Sequence, residues 1–298
     1  MKDLKVTIAG AGSGYTPGII LSILNHKDLS VSEIRLYDID KVRNEDMETI
    51  ISFILNKGHY KVDLLRTEDP KEAFSEVDFI FSQIRVGGMQ MREKDEKIPL
   101  KYGLVGQETC GLGGFSYAMR SMKGFSEMID LIQKYNKDAW VLNYTNPETI
   151  ISEVVRRKYP DAKIINACDM TISIEEIIAD SFGYDRENWI PIYYGLNHFG
   201  WYESIYDKSL KKDVMPELID KIIEEGLNTE GQDPSWASTW QSYQMLVKTF
   251  PDRLPNNYLL YYLFSEQMVE KEDPNYTRAN QIMDGRLKKI KETVKEIK

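Results

Sequence analysis

Residues 4–25 read LKVTIAGAGSGYTPGIILSILN, and this stretch decides the fold. A short β-rich run breaks into a glycine-rich turn at 10–14, and a helical pattern of apolar residues begins near Pro17. A second apolar run follows and ends in Asp38. Strand, glycine turn, helix, strand and acid, in this order, are typical of a dinucleotide-binding βαβ unit.

The glycine turn predicts a nucleotide cofactor, because it lets the backbone approach a pyrophosphate at the N-terminus of a helix. A carboxylate at Asp38 would accept hydrogen bonds from an adenosine ribose and repel a 2′-phosphate, which favours NAD over NADP. The residues expected to contact the cofactor are Gly10, Gly12, Ser13, Thr16, Asp38 and Arg85. The usual glycine spacing fails at Tyr15. The alternative is a turn that binds nothing.

Composition restricts the class of protein. At 298 residues the chain can hold two domains around a sizeable core. A net charge of −9 without a basic tract argues against nucleic acid as a partner. We expect neither a membrane span nor a secretory signal, and hence a cytoplasmic protein. The two cysteines, Cys110 and Cys168, do not form a disulfide framework.

Strand and helix patterns alternate as far as residue 190, which predicts an α/β fold with a doubly wound, Rossmann-like parallel sheet. We place the dinucleotide-binding domain at 1–190. Residues 191–298 are then a partial, mainly helical α+β substrate domain, of the kind found in lactate and malate dehydrogenases. The Lys/Glu-rich stretch at 286–298 predicts a solvated helix that frays.

A second glycine-rich segment, GQETCGLGG at 106–114, lies between two predicted helices. Its glycines permit tight backbone geometry or the close approach of a ligand. An ordinary flexible connection explains the composition equally well, so both interpretations stay open.

Cys168 and His198 are the candidate metal ligands. A thiolate and an imidazole bind divalent transition metals, and two protein ligands leave positions open for substrate oxygens. The alternative is structural, because cysteine is often buried as a small apolar residue and His198 has aromatic neighbours. Asp169 is a candidate general acid or ligand, although capping of the following helix is the default interpretation.

Two arginines and a tyrosine complete the candidates. Arg92 and Arg278 can each grip a phosphate through the guanidinium fork, but a surface salt bridge is the commoner fate of an arginine. Tyr258 lies in an aromatic segment and is expected to belong to the core.

Taken together, seven motifs resemble those of glycoside hydrolase family four, and within it those of the 6-phospho-α-glucosidases that act on maltose 6′-phosphate and related sugars. They cover essentially the whole chain in the expected order. The motifs are the turn at 10–17, IRVG at 84–87, IPLKYG-VGQETCG-GG at 98–114, LNYTNP at 142–147, CDM at 168–170, YYGLNHFGW at 193–201 and NYTRAN at 275–280.

The resemblance implies NAD and a divalent metal, usually Mn²⁺, as cofactors, a phosphorylated disaccharide as substrate, and a homo-oligomer, either a dimer or a tetramer. It also implies a role for each matching residue. Cys168 and His198 correspond to the metal ligands, Asp169 to the acid, Tyr258 to the base, and Arg92, Asn146, Asp169 and Arg278 to substrate-binding residues.

The implied chemistry differs from the two-carboxylate mechanism of most glycosidases. Bound NAD⁺ takes a hydride from C3 of the sugar, Tyr258 removes the C2 proton, and the group at C1 is eliminated with a proton from Asp169. Water then adds, and the hydride returns, so that there is no net redox change.

The sequence departs from the family pattern in two ways. Thr171 stands where the phospho-α-glucosidases usually have proline. Family members also continue with a substantial C-terminal segment, so we expect the second domain to be partial. A non-catalytic protein that binds NAD or a sugar phosphate is therefore one alternative. An NAD-dependent dehydrogenase is another, but it leaves the Cys168–His198 pair unexplained.

Overall fold

The computed structural model describes residues 2–230 and 234–298, with the side chains of 234–238 left aside. Six parallel strands form the first sheet in the order β3-β2-β1-β4-β5-β6. The strands are β1 (Asp3–Ala9), β2 (Ser30–Tyr37), β3 (Asp63–Thr67), β4 (Phe79–Ser82), β5 (Trp140–Asn143) and β6 (Ile164–Asn166). This is the strand order of the doubly wound dinucleotide-binding fold, so the predicted Rossmann-like fold class is confirmed.

Strand β1 lies at the centre of this sheet, and its residues from Val6 to Ala9 are buried whichever face they point to. Ile8 is fully buried, and it pairs in register with Leu36 of β2 and Phe81 of β4. Parallel sheets bury both faces under helices, which is why Thr7 is as fully buried as Ile8 although the two side chains point to opposite faces.

Seven helices connect or follow these strands. They are α1 (Thr16–Asn25), α2 (Lys41–Lys57), α3 (Pro70–Phe74), α4 (Gly88–Leu100), α5 (Gly111–Asn136), α6 (Glu148–Lys158) and α7 (Met170–Phe182). Local signals set their starts: the side chain of Asp40 accepts from the backbone N–H of Arg43 at 3.2 Å, and that of Asp69 accepts from Lys71 at 2.9 Å. Helix α5 begins inside the second glycine-rich segment, four residues earlier than its apolar pattern predicts.

The second sheet is antiparallel and holds β10, β8 and β7 in that order, with β9 paired to β8. Its strands are β7 (Trp189–Leu196), β8 (Phe199–Asp207), β9 (Lys212–Asp213) and β10 (Leu254–Pro255). Helices α8 (Met215–Glu225), α9 (Pro234–Thr249), α10 (Leu259–Leu263) and α11 (Ser265–Lys271) accompany it. The predicted boundary at 190/191 falls within β7, and the division into two domains stays a prediction.

The chain ends in helix α12 (Arg278–Ile282), a short π-helical turn at Met283–Leu287, and helix α13 (Lys288–Ile297). The prediction of a solvated, frayed helix at 286–298 is wrong for α13. Val294 is buried, and Ile290 and Ile297 pack against the same core, which α2 also lines. Apolar residues at these spacings form one stripe of a helix, and the abundant lysines and glutamates conceal that stripe in the composition.

No helix within the described ranges is both long enough and apolar enough to cross a membrane.

The packing of α13 gives a stability prediction. Val294→Ala should lower the free energy of unfolding by about 1–3 kcal/mol, because it leaves a cavity between α13 and α2. Lys291→Ala, at an exposed position of the same helix, is the matched control and should change the stability little. Urea denaturation measures both. Equal midpoints for the two variants would contradict the packing of α13.

Candidate active site

The glycine turn is tied to the end of β2 by the carboxylate of Asp38. The backbone N–H of Gly12 donates to one oxygen of Asp38 at 2.8 Å, and that of Asp40 donates to the other at 2.9 Å. A Cβ added at Gly12 would lie 2.9 Å from the Asp38 carboxylate and 2.7 Å from Cβ of Arg43. Only glycine therefore allows this contact, and Asp38 holds the turn in shape before any ligand arrives.

The other residues of the turn are held by the neighbouring strands. Gly10 donates its N–H to the carbonyl of Tyr37 at 2.9 Å. The Thr16 hydroxyl donates to the carbonyl of Ala11 at 2.7 Å and accepts from the Gln83 side chain at 2.8 Å. Thr16 thus joins the turn to the loop that follows β4.

Tyr15, which breaks the usual glycine spacing, has its side chain on the outside of the turn. Its ring is more than half exposed, and the Arg286 guanidinium lies 4.2 Å from the ring centroid. Ser13 donates its N–H to the carbonyl of Gly10 at 3.1 Å, which closes the turn without a glycine at position 15. The π-helical turn before α13 thereby contacts the predicted cofactor segment.

The carboxyl ends of β5 and β6 are bound to each other. The side chain of Asn143 donates to that of Asn166 at 2.8 Å, and Ala167 donates its N–H to the Asn143 carbonyl at 2.9 Å. The segments that carry Asn146 and Cys168 therefore start at the same edge of the sheet as the glycine turn, as expected for parallel strands.

Cys168, His198 and Tyr258 come together at this edge, although 30 residues separate the first two. Sγ of Cys168 lies 3.5 Å from Nε2 of His198. His198 occupies the tight turn between β7 and β8 with φ 63°. Its ring stacks on that of Tyr258, with centroids 3.8 Å apart and planes inclined by 14°. Tyr258 is a core residue, as predicted, and it also lines the site.

Burial sets the protonation states of these groups. It lowers the pKa of His198 to about 4 and raises the pKa of Cys168 to about 11. It also raises the pKa of Tyr258 well above its ordinary value. At neutral pH the pair is therefore a neutral imidazole beside a thiol, and binding of a metal would release the thiol proton.

The spacing of the pair fits a single ion. With zinc as the reference ion, bonds of about 2.3 Å to sulfur and about 2.1 Å to nitrogen at a tetrahedral angle place the two ligand atoms about 3.6 Å apart. Within residues 2–230 and 234–298, no group of three or more histidine, cysteine, aspartate or glutamate residues is arranged to hold a metal. The contribution of these residues to a metal site would thus be Cys168 and His198, with other positions open to water or substrate.

Asp169 does not cap helix α7. It occupies the N-cap position, but its side chain makes no capping hydrogen bond, so the default interpretation is wrong. The carboxylate is exposed, and it adds to burial in raising the pKa of Tyr144 and of Cys168. An exposed acid beside the Cys168–His198 pair is available for proton transfer.

Arg92 lies in a buried ion-pair network instead of the surface salt bridge that an isolated arginine most often forms. Its Nε donates to Glu96 at 2.6 Å, and its Nη1 lies 3.1 Å from a carboxylate oxygen of Glu108. Arg85 pairs with the same Glu108, and its guanidinium lies 4.8 Å from the ring centroid of Tyr117. The predicted cofactor residue Arg85 is thereby linked to the predicted substrate residue Arg92.

The second sugar-phosphate candidate reaches this network through the backbone. Arg278 is the first residue of α12, and the next residue, Ala279, donates its N–H to Glu96 at 2.8 Å. Glu96 therefore bonds both Arg92 and the start of α12, across 183 residues of sequence.

The sequence patterns drew attention to Glu96 beside Arg92, but not to four other polar residues at this edge: Gln83, Gln107, Glu108 and Thr109. Three of them lie in the second glycine-rich segment, where polar side chains flanked by glycines were the available signal. A Cβ at Gly114 would lie only 2.3 Å from the carbonyl carbon of Thr109. The segment is thus closely packed, which excludes the flexible-connection interpretation.

Comparison with known proteins identifies similar chains. Residues 5–184 match the family described as family 4 glycosyl hydrolase, and residues 193–298 match its C-terminal domain. The maltose-6′-phosphate glucosidase of Bacillus subtilis (strain 168) is 44% identical over 291 residues, which is 96% of this chain and 65% of that protein. This chain thus spans about two thirds of the length of that relative.

Two solved structures of 6-phospho-α-glucosidase from gut microorganisms have the same fold. One, in complex with NAD and Mn²⁺, has a TM-score of 0.96 at 38% identity and covers 99% of this chain and 70% of its own. The other, in complex with NAD and glucose-6-phosphate, has a TM-score of 0.95 at 38% identity and covers 100% of this chain and 69% of its own.

The buried His198 makes stability depend on pH. In the unfolded chain this histidine takes a proton near pH 6.5, but in the fold only near pH 4, so stability is lost as the pH falls between these values. The loss attributable to His198 should reach about 3 kcal/mol at pH 4. Urea denaturation from pH 7 to pH 4 should show a smaller decline in His198→Asn than in the parent.

The matched control is His59→Asn, because His59 is exposed and also has a positive φ, 55°. If His198→Asn and His59→Asn show the same dependence on pH, the buried neutral state of His198 is wrong.

Proposed function

Because this chain belongs to glycosyl hydrolase family 4, we propose that it hydrolyses 6-phospho-α-glucosides such as maltose 6′-phosphate, using NAD⁺ and a divalent metal, Mn²⁺ in the first instance. The observation that carries this proposal is the contact of Cys168 with His198 at 3.5 Å, beside the stacked ring of Tyr258. The relatives named above, two of them holding NAD in solved structures, support the choice of substrate and cofactors.

The glycine turn is the proposed NAD site. The turn precedes helix α1, whose N-terminal N–H groups and dipole favour an anion such as a pyrophosphate. Contacts are proposed for Gly10, Gly12, Ser13, Thr16, Asp38 and Arg85. Each oxygen of Asp38 already accepts one backbone N–H and keeps a second lone pair for a ribose hydroxyl.

Cys168 and His198 would hold the metal, and the thiol would lose its proton on binding. When bound, NAD⁺ supplies a hydride acceptor for C3 of the sugar, and the metal supplies an electrophile for the neighbouring oxygens.

Tyr258 is the proposed base, which removes the proton from C2. Burial raises the pKa of Tyr258, and this disfavours the phenolate that a base requires. A divalent cation beside the stacked His198 ring would oppose that effect, because a nearby positive charge stabilises the phenolate.

Asp169 is the proposed acid, which protonates the leaving oxygen at C1 as the C1–O bond breaks. Its carboxylate is exposed to solvent. Arg92, Asn146 and Arg278 are the proposed contacts to the phosphorylated sugar. The expected homo-oligomer stays a prediction.

The mechanism makes a labelling prediction. With 4-nitrophenyl α-D-glucoside 6-phosphate, NAD⁺, Mn²⁺ and a thiol reductant in D₂O, the sugar product should carry deuterium at C2, and NADH should not accumulate. The label arises because the base exchanges its proton with solvent. Tyr258→Phe should abolish turnover and label while NAD and metal affinities stay close to those of the parent. Mass spectrometry and absorbance at the NADH band measure these outcomes.

Tyr261→Phe is the matched control, since it removes a hydroxyl from a neighbouring tyrosine whose ring lies 5.8 Å from that of Tyr258. It should keep both turnover and label. Turnover without deuterium at C2 would indicate a two-carboxylate mechanism, and net NADH would indicate a dehydrogenase. Binding of NAD and sugar phosphate without turnover would reduce the proposal to a binding protein.

The phosphate contact is tested separately. Arg278→Ala should weaken binding of glucose 6-phosphate by about 10- to 100-fold, since a charge-assisted hydrogen bond contributes about 1.5–3 kcal/mol. Arg253→Ala, which removes an exposed arginine, is the control and should bind like the parent. Calorimetry at two salt concentrations checks both. Equal affinities in the two variants would remove Arg278 from the phosphate site.

A further inference from the structure

The second glycine-rich segment holds a chain of hydrogen bonds that ends on His198. Gln107 contacts Thr109, and the Thr109 hydroxyl lies 3.1 Å from Nδ1 of His198. We propose that Gln107 and Thr109 are positioning residues that place the imidazole proton on Nδ1 and so leave the Nε2 lone pair directed at the metal position beside Cys168. This inference rests on the proposed metal site for its purpose, but the hydrogen-bond chain itself can be tested without metal.

The orientation of the Gln107 amide follows from its neighbours. Two backbone N–H groups, those of Thr109 and Cys110, point at the same side-chain atom, at 2.6 and 2.9 Å. The amide nitrogen of a glutamine only donates, so it cannot occupy that position. The atom facing the loop is therefore the carbonyl oxygen Oε1.

The Thr109 proton is then assigned. The Thr109 hydroxyl oxygen lies 3.1 Å from Oε1 of Gln107, in a hydrogen bond for which only the hydroxyl can be the donor. Oε1 has no proton to donate, so the hydroxyl of Thr109 donates to it.

His198 must supply the proton of the remaining contact. With its own proton directed at Gln107, the Thr109 oxygen can only accept at the 3.1 Å contact with Nδ1. A neutral imidazole carries a single N–H, so Nδ1–H leaves Nε2 with a lone pair. Nε2 is the nitrogen that lies 3.5 Å from Sγ of Cys168.

The loop that carries Thr109 is held in place on both sides. Gly106 and Gly111 form an antiparallel bridge that closes the loop, and the bond from Cys110 to Gln107 lies inside it. Gly114, in the first turn of α5, lies directly against the Thr109 backbone, and an added Cβ there would clash with it. The hydroxyl therefore has little freedom to leave the imidazole.

Only a neutral ring has tautomers, and the ring ¹⁵N shifts also report whether the imidazole is neutral. The chain has three histidines, at 26, 59 and 198. After labelling with ¹⁵N-histidine, long-range ¹H–¹⁵N correlation spectra of the metal-free protein distinguish the two tautomers of each ring. The His198→Asn spectrum assigns the His198 signals.

The parent should show His198 protonated at Nδ1. Thr109→Val, which keeps the shape and removes the hydroxyl, should shift His198 towards the Nε2–H tautomer. Thr109→Ser should restore Nδ1–H. Metal affinity should follow the same order. Thr109→Val should bind Mn²⁺ about 10- to 100-fold more weakly than the parent, and the same is expected for Co²⁺, whose binding is followed through its thiolate absorption. Thr109→Ser should bind both metals nearly as tightly as the parent does.

Thr7→Val is the matched control, because the buried hydroxyl of Thr7 in β1 donates to the carbonyl of Ala73 in α3, away from His198. It should leave both the tautomer and the metal affinity unchanged. An Nε2–H tautomer in the parent would overturn the proposal by itself, even if Thr109→Val failed to fold. Failure of Thr109→Ser to restore tautomer and affinity would also overturn it.

The metal site and the positioning of His198 by Thr109 can be disproved separately. If the parent shows Nδ1–H, responds to Thr109→Val, and yet binds neither Mn²⁺ nor Co²⁺, then the metal site of the proposed function is wrong, and the positioning of the ring by Thr109 stands. If the metal binds equally well to the parent and to Thr109→Val, then Thr109 has no positioning role, and the metal site stands.

Discussion

The pairing of β1 with β2 on one side and with β4 on the other is the constraint on which the rest of the structure depends. Because the three strands are parallel and in register, the glycine turn, Asp38 and the loop after β4 all leave the sheet at one edge. Strands β5 and β6 extend the same edge and deliver Asn146 and Cys168 to it. The turn between β7 and β8 of the antiparallel sheet adds His198 to this edge.

Burial is the physical cause of the chemical properties of the site. The same desolvation that keeps His198 neutral also keeps Cys168 protonated and disfavours a Tyr258 phenolate. Without metal, these three side chains are thus uncharged. A bound cation would act on all three, because each is either a proposed ligand or in contact with one. Asp169, which is exposed, lies outside this buried group.

Charge is compensated differently on the substrate side. Glu108 accepts from both Arg85 and Arg92, and Glu96 bonds Arg92 together with the first turn of α12. Removing one partner of a buried ion pair leaves an uncompensated charge, so these residues depend on one another. The network also connects the second glycine-rich segment, which orients His198, with the arginines proposed to hold the phosphate. A single segment of nine residues therefore contacts both halves of the proposed site.

The sequence alone determined the parallel sheet, the glycine turn with Asp38, and the pairing of family motifs with candidate residues, because these depend on local patterns and spacing. It did not determine that Cys168 meets His198, that Arg92 is buried between two glutamates, or that Thr109 bonds the imidazole. Those contacts join residues from different elements, and a one-dimensional pattern carries no distance between them. It also mistook α13 for a frayed helix and Asp169 for a cap. The abundance of lysine and glutamate hid the apolar stripe of α13. Whether Asp169 caps α7 depends on the orientation of its carboxylate in the folded chain.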